Sequence, residues 1–330
     1  MKCPFPEFVE DPYFSHDWLA VMPATELAVG TVKPAQLMGE RLAIWRSEDG
    51  EVYAHRDLCI HRGARVSMGK VREDCLICPY HGWEYHYDGS CSKIPAQPNQ
   101  PIPAKARLAD FHCKEAAGMI WVCLGEPTRD PPAPLFLDNA DLRLVSCGPY
   151  HYQATALRAF ENFFDFGHFG FVHEGLLGTP EHAEVNNYKV ESYQDGLAFR
   201  DVNLYRPTAE GVSEEQFDWY VLRPLTVQLA SQGVYSGKPN CYTIFFTVCP
   251  LTATKSVGWM MFYHNFDSFT DTEVRDYEDL ITYQDIPIVN AQHPELLPTD
   301  LKEEIHLHSD RAAAHYRKYL DRLGVRLGVA

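Results

Sequence analysis

Two short stretches oblige two loops of this chain to meet at one point. Cys59-Ile60-His61-Arg62-Gly63 offers a thiol and an imidazole, and Cys78-Pro79-Tyr80-His81-Gly82-Trp83 offers the same pair again, with sixteen residues between His61 and Cys78. Four ligands of two kinds, delivered by two loops, are what a metal centre needs. A structural zinc site is the plain alternative, but zinc ligand pairs are usually spaced C-x₂₋₄-C, and a C-x-H pair is unusual among them.

A second group follows about eighty residues later, in Glu161-Asn162-Phe163-Phe164-Asp165-Phe166-Gly167-His168-Phe169-Gly170-Phe171-Val172-His173. On a helix, Glu161, Asp165 and His168 share one face, and Phe160, Phe164 and Phe171 form a neighbouring stripe that can bury the element. His173 stands five residues beyond His168, roughly 140° around an ideal helix. Both imidazoles reach one ion only if the helix loosens or ends there, which Gly167 and Gly170 permit at low steric cost. With a carboxylate from elsewhere, two histidines make the facial triad of a non-haem Fe(II) oxygenase. Taken alone, the segment reads equally well as a buried helix with satisfied polar groups. The upstream motif tips the balance towards metal.

A length of 330 residues allows two domains, each with its own core. Lys+Arg 29 against Asp+Glu 45 gives a net charge of −16, which argues against nucleic acid and against an anionic membrane surface. The same charge suits a cationic substrate or a basic patch on a redox partner. The start, Met1-Lys2-Cys3-Pro4-Phe5-Pro6-Glu7-Phe8, lacks the apolar core of a signal peptide, and no apolar run is long enough to span a bilayer. The ten cysteines then read as thiols or metal ligands in a reducing compartment, and the chain as cytoplasmic.

Leu42–Arg46 and Val52–His55 flank Ser47-Glu48-Asp49-Gly50, a hairpin signal. Cys75 makes a formal C-x-x-C with Cys78, which the stronger pattern already claims, while Cys91, Cys113 and Cys123 read as small buried apolar residues. Gly118–Leu124 reads as a strand closing the first domain, and Pro127, Pro131, Pro132 and Pro134 as a connector. Leu197–Tyr205, Phe217–Leu222, Thr226–Ala230, Cys241–Val248 and Val257–Phe266 predict an antiparallel sheet with helices on one side. Asp271–Asn290 reads as a helix disturbed at Pro287. Asp285 within it is the candidate third ligand, against a plain reading as one more solvated acid, with Glu278 and Asp279 as substitutes. A last helix runs from an N-cap near Ser309 to Leu323, stopped by Gly324.

Cys59-x-His61 with Cys78-x₂-His81-Gly82-Trp83 resembles the signature of a Rieske [2Fe–2S] centre, in which two Cys hold one iron and two His the other. With D-x₂-H-x₄-H downstream and a carboxylate near the end, nearly the whole chain resembles the catalytic subunit of Rieske non-haem iron oxygenases. That resemblance implies an α+β chain: an all-β Rieske domain over 1–130 (core about 17–126), then a helix-grip, START-like catalytic domain over 131–330. It implies that Cys59, His61, Cys78 and His81 hold the cluster, and that His168, His173 and Asp285 hold the iron. Asp165 matches the carboxylate linking a Rieske histidine (His81) of a neighbouring subunit to an iron ligand, and Asn162 matches an asparagine near the iron. Glu161 stands where ring-dihydroxylating members have asparagine. Length points to the monooxygenase and demethylase branch (vanillate and dicamba O-demethylases, toluenesulfonate methyl-monooxygenase). Ile94–Pro98, His173-Glu174-Gly175 and the tail from His308 to Val325 look closest to saxitoxin-pathway hydroxylases.

The implied activity is O₂-dependent monooxygenation of a small organic substrate, by hydroxylation or by O- or N-demethylation. NAD(P)H electrons arrive through a separate flavin/iron–sulfur reductase, directly or by way of a ferredoxin, since no G-x-G-x-x-G fingerprint is visible. They pass by His81, Asp165 and His168 to the Fe(II). The implied assembly is a homotrimer. A ring-dihydroxylating dioxygenase, a Rieske electron carrier with a silent second domain, and a zinc-stabilised ligand-binding protein are the competing classes.

Overall fold

The computed structural model describes residues 3–136, 142–193, 196–208, 211–231 and 241–330, so Met1 and Lys2 of the start read above lie outside it. The chain divides into two compact units, Met1–Pro131 and Pro132–Ala330. Among the described residues no helix is long and apolar enough to cross a membrane.

The first unit is built of strands. A six-stranded sheet comprises β1 (Leu19–Pro23), β2 (Val32–Leu37), β3 (Glu40–Arg46), β4 (Val52–Arg56), β9 (Asp110–Ala116) and β10 (Met119–Cys123), in the order β1-β10-β9-β4-β3-β2. A four-stranded sheet runs in sequence order through β5 (Lys70–Arg72), β6 (Cys75–Ile77), β7 (Glu84–Tyr85) and β8 (Cys91–Lys93). The β3–β4 hairpin forms across Ser47–Glu51, as its turn residues predict. β10 carries five buried residues, and this apolar run sits between β1 and β9, where both faces are covered. Trp45, Val66, Leu76, Tyr85 and Leu108 pack into one core that includes Cys59 and Cys78. Cys123 is buried too, but Cys91 and Cys113, read above as buried, are only half-buried.

The second unit is a seven-stranded antiparallel sheet of β11 (Arg143–Tyr152), β12 (Lys189–Tyr193), β13 (Gly196–Thr208), β14 (Gly211–Arg223), β15 (Thr226–Ser231), β16 (Tyr242–Pro250) and β17 (Ser256–His264), in the order β11-β17-β16-β15-β14-β13-β12. Five of these strands match the apolar segments of the sequence. The two edge strands do not announce themselves. In β11, Gly148-Pro149 reads as a break; the register shifts there, between Cys147 and Tyr150, and an edge strand tolerates the missing N–H.

Among the described residues, four α-helices complete the unit: α1 (Ala156–Asn162), α2 (Phe169–Val172), α3 (Asp271–Asn290) and α4 (Arg311–Leu323). α3 starts at a capping box in which Thr270 and Glu273 satisfy each other's backbone N–H, and it runs unbroken past Pro287. Its buried residues Val274, Glu278, Ile281, Thr282, Asp285 and Val289 follow helical spacing along one face, and the helix lies against β11 and α1. Before α4, Ser309 belongs to a 3₁₀ turn rather than serving as the N-cap, and Gly324 ends the helix.

Candidate active site

The helix does give way between Glu161 and His173, but earlier than Gly167 and Gly170 suggest. α1 stops at Asn162, and Asp165 then caps a 3₁₀ turn, Phe166–His168, by accepting a bond from the Gly167 N–H at 3.1 Å. The break separates Glu161, Asp165 and His168 from a common face, and it turns Phe171 out to solvent while Phe160 and Phe164 stay fully buried. It also swings both imidazoles to one point, with His168 ending the 3₁₀ turn and His173 ending α2. Gly170 serves this bend by close packing rather than by unusual φ, since a Cβ there would lie 2.7 Å from the Thr179 carbonyl oxygen.

His168 Nε2 and His173 Nε2 stand 3.2 Å apart, and Asp285 Oδ1, from α3, lies 3.3 Å from the first and 3.1 Å from the second. Among the described residues this is the one group whose three donor atoms all lie within 4.8 Å of one another. Neither Asp279 nor Glu278 joins it, because Asp279 Oδ1 accepts from Tyr150 Oη at 2.7 Å and Glu278 sits two turns back along α3. His173 Nδ1 donates to Gln284 Oε1 at 2.8 Å, which fixes the tautomer and leaves Nε2 with a free lone pair. Gln284 is invisible as a site residue in the sequence; its one signal is its place beside Asp285. Asn162 Nδ2 donates to Asp285 Oδ1 at 3.4 Å.

Burial works against a charge on His168, but the Asp165 and Asp285 carboxylates outweigh it and hold the imidazole up to about 9. Burial likewise pushes Asp285 up, and His168 and His173 more than cancel this, so its carboxyl stays below the ordinary range. Two facing Nε2 atoms and a carboxylate oxygen therefore need a cation between them, either a proton or a metal. A divalent iron fits that donor set.

Asp165 is exposed, not buried as an acid on an apolar helix would be. Its Oδ2 is 3.8 Å from His168 Nδ1, too long for a hydrogen bond, so that nitrogen is buried without a partner. Glu161 takes no part in the site. Its carboxylate receives Arg317 of α4 through both oxygens, at 2.8 and 2.6 Å.

In the first unit, each of the two loops is closed over its ligands by backbone bonds. Cys59 N–H donates to Ala64 and Gly63 N–H to Cys59, while Cys78 N–H donates to Trp83 and Gly82 N–H to Cys78. Gly63 and Gly82 stand at φ +73 and +67, in the left-handed region that glycine enters freely. The thiols lie inward on the core and the imidazoles outward, with ring centroids 4.5 Å apart and His61 stacked on Trp83 at 4.6 Å. Burial first, then the neighbouring His81 and Arg62, pull His61 below its ordinary value, so it is neutral and ready to donate a lone pair. Its Nδ1 is buried with no hydrogen-bond partner, as expected of an atom reserved for a metal. Tyr85 Oη lies 3.1 Å from Cys59 Sγ. This tyrosine has no metal-ligand signal in the sequence. Two thiols and two imidazoles fit a [2Fe–2S] cluster with a pair of ligands on each iron.

The triad opens onto a cavity of about 510 Å³, walled by Phe163, Trp219, Met260, Phe262, Phe266 and Ile281 among others. An apolar chamber ending at a three-donor cation site, on a chain with a separate sulfur and nitrogen site, is the equipment of a metal-dependent oxidoreductase acting on small organic molecules. Likeness to known proteins narrows that class. Residues 17–111 match the Rieske [2Fe-2S] domain, and residues 152–326 match the vanillate O-demethylase oxygenase C-terminal domain. The methylxanthine N1-demethylase NdmA of Pseudomonas putida is 32% identical over 325 residues, covering 95% of this chain and 90% of that protein. The methylxanthine N3-demethylase NdmB of the same species is 27% identical, covering 97% and 92%. The solved structure of Pseudomonas putida CBB5 NdmA superposes with a TM-score of 0.81 at 30% identity, covering 94% of this chain and 90% of that one. Dicamba monooxygenase bound to dicamba, at 21% identity, a TM-score of 0.79 and coverage of 94% and 98%, shares the fold. The chain belongs to the Rieske oxygenases, among the catalytic subunits of the demethylase branch. It is a non-haem iron monooxygenase that uses a Rieske [2Fe–2S] cluster and a mononuclear iron.

Proposed function

We propose that Cys59, His61, Cys78 and His81 hold the cluster, that His168, His173 and Asp285 hold the iron, and that the enzyme hydroxylates or O- or N-demethylates a small, largely apolar substrate. The observation that carries this reading is the convergence of the three donors on one point at the wall of an aromatic cavity. The Rieske domain is assigned to residues 1–130 and the catalytic domain to 131–330. Electrons come from NAD(P)H through a separate flavin/iron–sulfur reductase, with or without a ferredoxin, and the enzyme works in the cytoplasm as a homotrimer.

When bound, the cluster supplies electrons singly and the iron is where O₂ is activated. The protein's own groups do the rest. Gln284 fixes the tautomer of His173. Asn162 donates to Asp285 and steadies the carboxylate beside the substrate space. The aromatic walls exclude water and hold the substrate's apolar body. Asp165 has one oxygen near the unpartnered Nδ1 of His168 and the rest of its carboxylate open to solvent. That exposure suits a link to a histidine of another copy, for which His81, itself exposed, is the match.

Asp165→Asn keeps the size and removes the charge that orients His168. Both metals should load, but a chemically reduced cluster should no longer be oxidised within one turnover when substrate and O₂ are added. Unchanged single-turnover oxidation of the cluster would show that electrons take another route.

A further inference from the structure

Glu278 is buried, at 7% exposure, yet it lines the cavity. Among the described residues its carboxylate has no hydrogen bond, and no ion pair within 4.0 Å. An ionisable group so placed is costly unless something in the cavity answers it. Its neighbour Asp279 faces the other way, onto Tyr150. Glu215 and Glu273 also line the cavity, against the single guanidinium of Arg206, which lies over the Phe217 ring at 5.0 Å. Leaving the metal site aside, that is three acids to one base, in a chain of net charge −16. Burial pushes Glu278 up to about 7, reinforced by Asp279 and only partly offset by Arg206, which makes no ion pair with it.

Glu278 and Asp285 stand seven residues apart on α3, so they share a face about 10 Å apart along the axis. One small molecule can touch both stations. We propose that Glu278 anchors the substrate, and that the substrate class is a compact, mostly apolar molecule carrying a cationic nitrogen (amidinium, guanidinium or ammonium) at the end remote from the carbon that is oxidised. The orientation rests on the iron site proposed above; the recognition by Glu278 does not.

Equilibrium binding to the metal-loaded enzyme without reductase tests this, because no turnover is needed. Benzamidine and benzamide have nearly the same shape and differ in charge. The wild type should bind benzamidine at least about tenfold more tightly than benzamide, and Glu278→Gln should bring the ratio close to one. Glu278→Met, which needs no buried partner, should do the same, and unchanged iron and cluster content shows that either variant is folded. Equal affinities in the wild type, no binding of either probe, or a preference that survives both substitutions overturns the proposal. Iron content, measured separately, decides the oxygenase reading whatever the binding ratio.

Discussion

Asp285→Ala should leave the protein with the two irons of its cluster and without the mononuclear one. Asp285 brings the only carboxylate among the three donors, and its Oδ1 lies 3.3 and 3.1 Å from the two histidine nitrogens. Removing it takes a ligand and the compensating negative charge together. The nearest acids along α3 cannot replace it, because Asp279 is held by Tyr150 and Glu278 lies two turns away. Turnover should fall by more than the roughly 100-fold that loss of a residue supporting a ligand costs. The visible spectrum of the cluster should stay as it is, since the cluster ligands belong to the other unit. Normal iron content in the variant would show that a different acid completes the site.

Arg317→Ala carries the largest expected loss of stability. The Arg317 and Glu161 side chains are 3% and 11% exposed, and Arg317 also reaches Glu304 at 2.7 Å, which in turn binds Arg158 at 2.8 Å. Deleting the central cation leaves the Glu161 carboxylate buried and unpaired, while Glu304 keeps Arg158, at a cost of about 3–5 kcal/mol. For a unit of this size that lowers the melting temperature by roughly 6–20 °C. Because Glu161 immediately precedes Asn162 at the end of α1, iron affinity should drop as well. Arg317→Met combined with Glu161→Leu should cost less than Arg317→Ala, since that pair of changes leaves no acid buried alone and Glu304 keeps Arg158. A loss below about 1 kcal/mol in the single variant, measured by thermal or urea unfolding, would reduce the network to a surface ion pair.

The same network shows where a sequence stops being legible. Glu161 and Arg317 are 156 residues apart, and nothing local marks either as the other's partner. Ligand loops are different, because their spacing is written within a few residues: both Cys-His pairs and the two histidines of the second site can be read directly. Asp285 cannot, since it is one acid on an acidic helix, and only the resemblance to a family points to it. The place of the helix break also escapes reading: Gly167 and Gly170 point to a loosening near the histidines, yet α1 already ends at Asn162, with helical spacing intact on either side. That break is what leaves Asp165 exposed and Phe171 in solvent. β11 is lost to Gly148-Pro149, a pair that marks a turn in most settings and a bulge on this edge strand. Glu278 looks like surface charge until the cavity beside it is seen.

Iron and zinc counted per chain, together with the EPR spectrum of anaerobically prepared and reduced protein, test the central claim most directly. The two donor sets predict a Rieske signal, and iron equal to one [2Fe–2S] cluster plus one further ion per chain. Stoichiometric zinc with no such signal would contradict the account.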